Sequence, residues 1–210
     1  MQQSAEYQKL REELRQAEIA LKDQRERVAE LRRSLPLDTE VADHVFRDVS
    51  GELRLSQLFD DPQKTLVLMH FMYGKKQAQP CPMCTLWADG YSGIQGHLRQ
   101  RVNFAVLVAG DAGRFAAYAR ERGWQGLRVV SAADSSFKAD VGVEDAEGNQ
   151  LPGVSVLRRA DDGRLLHFYT GCAMLGDGHS RGMDLLSPFW SFLDLTPEGR
   201  GDFFPGRSDS

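Results

Sequence analysis

From Tyr7 to Leu35 the chain is dense in Glu, Lys, Arg, Gln, Leu and Ala and holds neither Pro nor Gly, a composition that favours helix. Tyr7, Leu10, Leu14, Ala17, Leu21, Val28, Leu31 and Leu35 fall on a register of about 3.5 residues, with Gln24 as its one polar member. The pattern predicts a long amphipathic helix that stops where Pro36 and Asp38 break it. A seam this narrow on so long a helix is hard to bury against one small domain. A second copy of the chain is therefore its expected partner, in a homodimer.

Beyond Pro36 the period changes. Val41 to Val49 and Glu52 to Leu55 read as a hairpin around Ser50-Gly51, followed by a brief helical turn at Ser56 to Phe59. The apolar run Thr65 to Tyr73, bounded by Gly74, predicts a central strand buried on both faces. Thr85 to Leu98 places Leu86, Ile94 and Leu98 on much of one helical face, with Gly90 and Gly93 expected to weaken or bend the helix. Val102 to Val108 is a second strand, Asp111 caps a helix to about Arg122, and Leu127 to Ser131 is a third strand. Val154 to Leu157 and Leu165 to Tyr169 flank the turn signal Asp161-Asp162-Gly163, and Met183 to Leu193 reads as a last helix. Strand–helix–strand crossovers imply parallel central strands, and the hairpin adds antiparallel ones. The expected class is α/β: a central mixed sheet flanked by helices, in the element order of a thioredoxin-like fold, with the long helix in front. The expected organisation is a helix over 1–36, one domain over 37–200 and a tail over 201–210.

Composition narrows the function. At 210 residues, with 41% hydrophobic and 27% charged residues, the chain can bury one good core and is far from a disordered composition. A net charge of −4 gives no electrostatic case for nucleic acid or an anionic membrane as partner. Met1-Gln2-Gln3-Ser4-Ala5-Glu6 runs straight into charged residues, and no stretch approaches the roughly 18 apolar residues of a membrane helix. The cytoplasm is the expected compartment. Three cysteines, two of them separated by only two residues, do not form the disulfide scaffold of a small secreted protein.

Those two are Cys81 and Cys84, in Cys81-Pro82-Met83-Cys84 at the head of a predicted helix. A thiol attacks as its thiolate, and a helix N-terminus lowers its pKa. With Cys81 as N-cap, Pro82 falls at the first helical position, where its missing N–H costs nothing. Cys84, one turn on, is placed to attack a mixed disulfide formed by Cys81. Lys75 and Lys76 could add positive potential or simply be solvated. The same spacing also makes half of a zinc site, but Cys172, His70, His97, His167 and His179 supply no second closely spaced pair, so neither metal nor cofactor is expected. Cys172 reads as a small buried hydrophobe sooner than a third redox thiol, and His70 as a core histidine. Trp87 and Asp89 could flank the site or merely pack and solvate.

Phe71-Met72-Tyr73-Gly74, Cys81 to Gly90, and Leu193-Asp194-Leu195-Thr196-Pro197-Glu198-Gly199-Arg200 resemble the bacterial thioredoxin-like proteins known as the domain of unknown function 899 family. The Leu35-Pro36 break after the long helix is also similar, so the resemblance spans nearly the whole chain. It implies a thioredoxin-like fold related to peroxiredoxins and thiol–disulfide oxidoreductases, with no established substrate. Better-known thioredoxin relatives set a cis-proline before the strand beside the redox pair. Register counted back from Gly163 puts Val154, not Pro152, near that position. Peroxiredoxins carry a threonine three residues before the reactive cysteine, where this chain has Ala78. The leading expectation is thus a thiol–disulfide oxidoreductase acting on a protein or small-molecule disulfide or thiol. In it Cys81 is the nucleophile, Cys84 the resolving thiol, and Pro82, Met83, Trp87 and Val154 line the site. Met83 carries no charge to stabilise a thiolate, so the couple should be less oxidising than one with histidine there. A thiol peroxidase and a non-catalytic dimeric binding module are the alternatives.

Overall fold

The computed structural model describes residues 3–206; Met1, Gln2 and 207–210, the end of the expected tail, lie outside the described residues. The chain divides into two units, Met1–Leu37 and Asp38–Ser210.

The first unit is the helix α1, Ala5–Arg33. Ser4 caps it by accepting the Tyr7 N–H at 3.1 Å, and Arg32 and Arg33 in the last turn complement the negative end of its dipole. Arg15 pairs with Glu12 at 2.7 Å, one of several ion pairs between exposed side chains along the helix. No residue of α1 is buried, and Tyr7, Leu10, Leu14, Leu21 and Leu31 are all exposed.

The second unit is an eight-stranded mixed sheet. Its strands are β1 (Thr39–Val41), β2 (Val45–Asp48), β3 (Gly51–Arg54), β4 (Leu66–His70), β5 (Asn103–Val108), β6 (Val129–Ser131), β7 (Gly153–Arg159) and β8 (Leu165–Cys172). They lie in the order β1-β8-β7-β4-β5-β6-β2-β3. β4, β5 and β6 are parallel, while β7 runs antiparallel to β4 with His70 opposite Gly153. Alternation along β4 divides the core: Leu66 and Leu68 join Phe46, Leu55, Leu58 and Phe137, whereas Met69 and Phe71 join Cys84, Trp87, Phe115 and Trp124. Full burial of each such side chain contributes about 1.5–3 kcal/mol.

The helices are α2 (Pro82–Arg101), α3 (Ala112–Glu121), α4 (Phe137–Asp140) and α5 (Pro188–Leu193). α2 runs unbroken through Gly90 and Gly93, where an added Cβ would meet open space, because its buried face is carried by Cys84, Trp87, Ala88 and Tyr91. Asp111 caps α3 by accepting the Arg114 N–H at 2.7 Å. The expected helix over Met183 to Leu193 is instead a 3-10 turn, Asp184–Leu186, and then α5. Pro188 is the cause: it holds Ser187 extended, at φ −132° and ψ 125°, and starts a new helix. β1, which pairs with β8, and α4 are too short to leave a periodic signal.

Candidate functional site

β4 delivers the chain to the site. Beyond His70, the Phe71 N–H donates to the Leu107 carbonyl at 2.9 Å, and Ala109 N–H to Tyr73 carbonyl at 3.0 Å. Gly74 follows at φ +93°, where a Cβ would lie 2.1 Å from the Gly110 nitrogen, so only glycine fits. Gly74 and Gln77 exchange two backbone hydrogen bonds, and the Cys81 N–H then donates back to the Met72 carbonyl at 3.2 Å. A tight loop therefore returns Cys81 to the end of β4 and starts α2 there.

Cys81 is the N-cap of α2, with φ −66° and ψ 125°, and Pro82 stands at the first helical position. The cap has no side-chain oxygen, so the first-turn N–H groups face sulfur. Cys81 and Cys84 are both unbonded thiols, and both are buried. Cys81 is lowered from 9.0 to about 6, first because the Cys84 S–H donates to its sulfur, against the opposing pull of burial, and further by the N–H groups of Cys84 and Met83. Cys84 is pushed well above the ordinary thiol range. Its hydrogen bond to Cys81 holds its proton, burial adds to this, and the Met72 N–H and the charge of Lys138 only partly oppose them. The pair thus contains one acidic thiol and one that keeps its proton. The two flanking lysines are engaged elsewhere: Lys75 ion-pairs with Glu144, and Lys76 donates to Asn149 at 3.3 Å.

Met83 and Trp87 border an open cavity of about 410 Å³ that Met183, Trp190, Arg200 and Phe203 complete. A second cavity of about 40 Å³ sits beside Cys84, lined by His70, Met83, Trp87, Pro152 and Met183 among others. Pro152 directly precedes β7. Val154 lies two residues further on, opposite Met69, and packs against the cluster that holds the two cysteines. Asp89 is structural, accepting from Trp124 Nε1 at 2.7 Å and Arg122 at 2.8 Å. Cys172 ends β8 opposite Gly153, and burial raises its pKa. Among the described residues no three His, Cys, Asp or Glu side chains cluster to hold a metal, and no helix is long and apolar enough to cross a membrane.

One buried ionisable group at the site left no trace in the sequence pattern. Lys138 is 1% exposed on α4, donates to Gln150 Oε1 at 2.9 Å and, through the Gln150 amide, is tied to the Gly74 carbonyl at 2.9 Å. Burial lowers it to about 8, and the nearby Cys84 and Glu144 oppose that fall.

Several solved structures are similar in fold. Reduced Prx3 in complex with H2O2 from Vibrio vulnificus aligns at TM-score 0.50 and 14% identity, over 72% of this chain and 97% of that one. A putative thioredoxin reductase from Burkholderia cenocepacia aligns at 0.49 and 16%, over 72% and 96%, and a hypothetical protein from Sinorhizobium meliloti at 0.46 and 21%, over 81% and 90%. The fold is thioredoxin-like, and at these identities the likeness extends to the fold alone. No curated protein matches the chain. The family described as bacterial protein of unknown function, DUF899, matches residues 1–208, and the chain belongs to it.

Proposed function

We propose that this protein is a thiol–disulfide oxidoreductase with a Cys81-Pro82-Met83-Cys84 redox centre. The observation that carries the reading is the split in acidity between the two thiols: Cys81 falls to about 6 while Cys84 rises well above its ordinary value. At neutral pH Cys81 is a thiolate with a protonated partner one helical turn away, the arrangement that exchange chemistry requires. The Cys81 thiolate attacks one sulfur of a disulfide R–S–S–R′ and expels R′–S⁻. Cys84 then loses its proton and attacks the Cys81 sulfur, which expels R–S⁻ and leaves a Cys81–Cys84 disulfide. The substrate is reduced by two electrons and the protein oxidised by two. Pro82, Met83, Trp87 and Val154 line the approach, and the partner is a protein or small-molecule disulfide or thiol. Residues 37–200 form the redox body. The helix over 1–36, with its uncovered seam, joins two copies in a homodimer.

The test is to mix reduced protein with insulin, with hydrogen peroxide, or with neither, and count the thiols left. Loss of Cys81 and Cys84 thiols with insulin supports the proposal. Loss with peroxide alone moves the reading to a thiol peroxidase. Thiols that survive both treatments leave a binding module.

A further inference from the structure

The chain beyond β8 builds a two-lobed cleft around the first turn of α2. Pro82 and Met83, the two residues between the cysteines, line one lobe each. On the Met83 side lies the cavity of about 410 Å³, with Trp87, Met183 and Trp190 in its walls. On the Pro82 side lies a cavity of about 630 Å³, with Leu86, Phe189 and Phe192 in its walls. Phe203 lines both, and its ring stands 5.3 Å from that of Phe189 and 6.2 Å from that of Trp190, so the three rings form a partition between the lobes. The walls of both lobes are mainly apolar.

Two observations say what such a cleft takes. The first is the distribution of exposed apolar side chains. Among the described residues from Asp38 on, twelve large apolar side chains are exposed, and eight of them fall between Met174 and Phe204, on the stretch that walls the lobes. Apolar surface concentrated beside a reactive centre marks an interaction site, and Trp, Phe and Met are the residue types enriched where one polypeptide binds another. The second is charge. Arg200 is committed inside the chain: Nε and Nη2 donate to Asp194 at 2.6 and 2.5 Å, Nη1 donates to Asp184, and the guanidinium lies 5.3 Å from the centre of the Trp190 ring. Arg181 donates to the same Asp184 at 2.7 Å, and Arg122 pairs with Asp89 at 2.8 Å. Every arginine that lines a lobe is thus ion-paired within the chain. A small thiol that carries carboxylates, such as glutathione, would have to break one of these pairs to be held, whereas a neutral apolar group disturbs none.

We propose, resting on the oxidoreductase reading, that this cleft is a client site for an extended polypeptide with bulky apolar side chains around its cysteine. In an extended chain the residues two before and two after a cysteine project to the same side as its sulfur, each roughly 6.5 Å away along the backbone. The client's sulfur meets Cys81 while its two apolar neighbours enter the lobes on either side of Phe203. The residues after β8, and not the strands and helices of the sheet, therefore set which disulfides the redox pair takes. Met83 and Met183, unbranched and adaptable, let one lobe accept apolar side chains of different shape.

The test uses the reduced full chain and three mixed disulfides of thionitrobenzoate. One is an end-capped peptide with Phe two residues before and two after its single cysteine, the second has Ser at both places, and the third is glutathione. Cys81 attacks the cysteine sulfur of the probe, the bond to the thionitrobenzoate sulfur breaks, and thionitrobenzoate leaves with the electron pair and is read by its absorbance. The second-order rate for the Phe peptide should exceed those for the Ser peptide and glutathione at least about tenfold. Phe203→Ala and Phe192→Ala should each lower the Phe-to-Ser ratio at least about threefold, while Phe203→Leu holds it within about twofold of the parent. Both side chains are exposed, so their truncation leaves the core intact. Phe and Ser peptides that react within about twofold of each other, or glutathione that reacts as fast as the Phe peptide, overturn the client site and leave the redox reading standing. A ratio that survives both Phe203→Ala and Phe192→Ala also overturns it, as does a ratio that vanishes when protein concentration is raised, which would mean that a second copy covers the cleft. Release from none of the three probes overturns both readings.

Discussion

Cys84→Ala removes the largest single cause of Cys81 acidity. The Cys84 S–H bond leads the causes that bring Cys81 from 9.0 to about 6, and the N–H groups of Cys84 and Met83 make smaller contributions. At about 6, roughly nine tenths of Cys81 is thiolate at pH 7; at 9.0 it would be about one hundredth, a ratio of about ninety. Rate at one pH is nevertheless a poor readout. A more basic thiolate is a better nucleophile, and with a Brønsted slope of about 0.4–0.5 a rise of three units returns about twentyfold. The net loss of alkylation rate at pH 7 would then be only about fourfold. The midpoint of the pH profile does not suffer this cancellation. Iodoacetamide labelling across pH, with Cys81 quantified by mass spectrometry, should give a midpoint near 6 in the parent that moves toward the ordinary thiol value in Cys84→Ala. Cys84→Ser, whose hydroxyl can still donate, should fall between. An unmoved midpoint in Cys84→Ala would refute the assignment of Cys81 acidity to Cys84, and preferential labelling of Cys84 in the parent would reverse the two roles.

Other outcomes follow from single contacts. Asp89→Ala strands the Trp124 indole, which is 3% exposed, and should cost about 1–3 kcal/mol in urea unfolding while Cys81 keeps its titration midpoint. Gly74→Ala puts a Cβ 2.1 Å from the Gly110 nitrogen at a φ of +93°, and should leave little folded protein by circular dichroism. Deletion of residues 1–36 should convert a dimer to a monomer in analytical ultracentrifugation with the redox couple intact, because five or six seam side chains at about 1.5–3 kcal/mol each supply on the order of ten kcal/mol before ordering costs. A full-length monomer at micromolar concentration would contradict it.

What the sequence made legible was whatever repeats or punctuates. The apolar run Thr65 to Tyr73 became β4, the Asp161-Asp162-Gly163 turn joined β7 to β8, and Asp111 took its place at the head of α3. Cys81-Pro82-Met83-Cys84 was readable because Pro82 marks the start of a helix and the spacing sets the two cysteines one turn apart. Short or polar elements were not. β1 has three residues and α4 has four, below any period, and α4 brings in Lys138, a residue type that pattern reading assigns to the surface. Ser187-Pro188 carried its own warning, since a residue before proline resists helix, but the apolar spacing across it outweighed that signal. The row of hydrogen-bonded side chains His70, Ser155, Thr170 and His167, on β4, β7 and β8, was out of reach. It depends on the register of β7 against β4 and β8, including the irregularity between Val156 and Leu157, and no single segment encodes that.

As a redox centre, Cys81 and Cys84 should cycle between dithiol and disulfide. Equilibration of the full chain in glutathione buffers spanning reducing to oxidising ratios, followed by acid quench and peptide mapping, tests it most directly. One two-electron transition is expected, in which a Cys81–Cys84 disulfide replaces two thiols while Cys172 stays free. A chain whose Cys81 and Cys84 remain thiols, or carry only glutathione, at every ratio would contradict it.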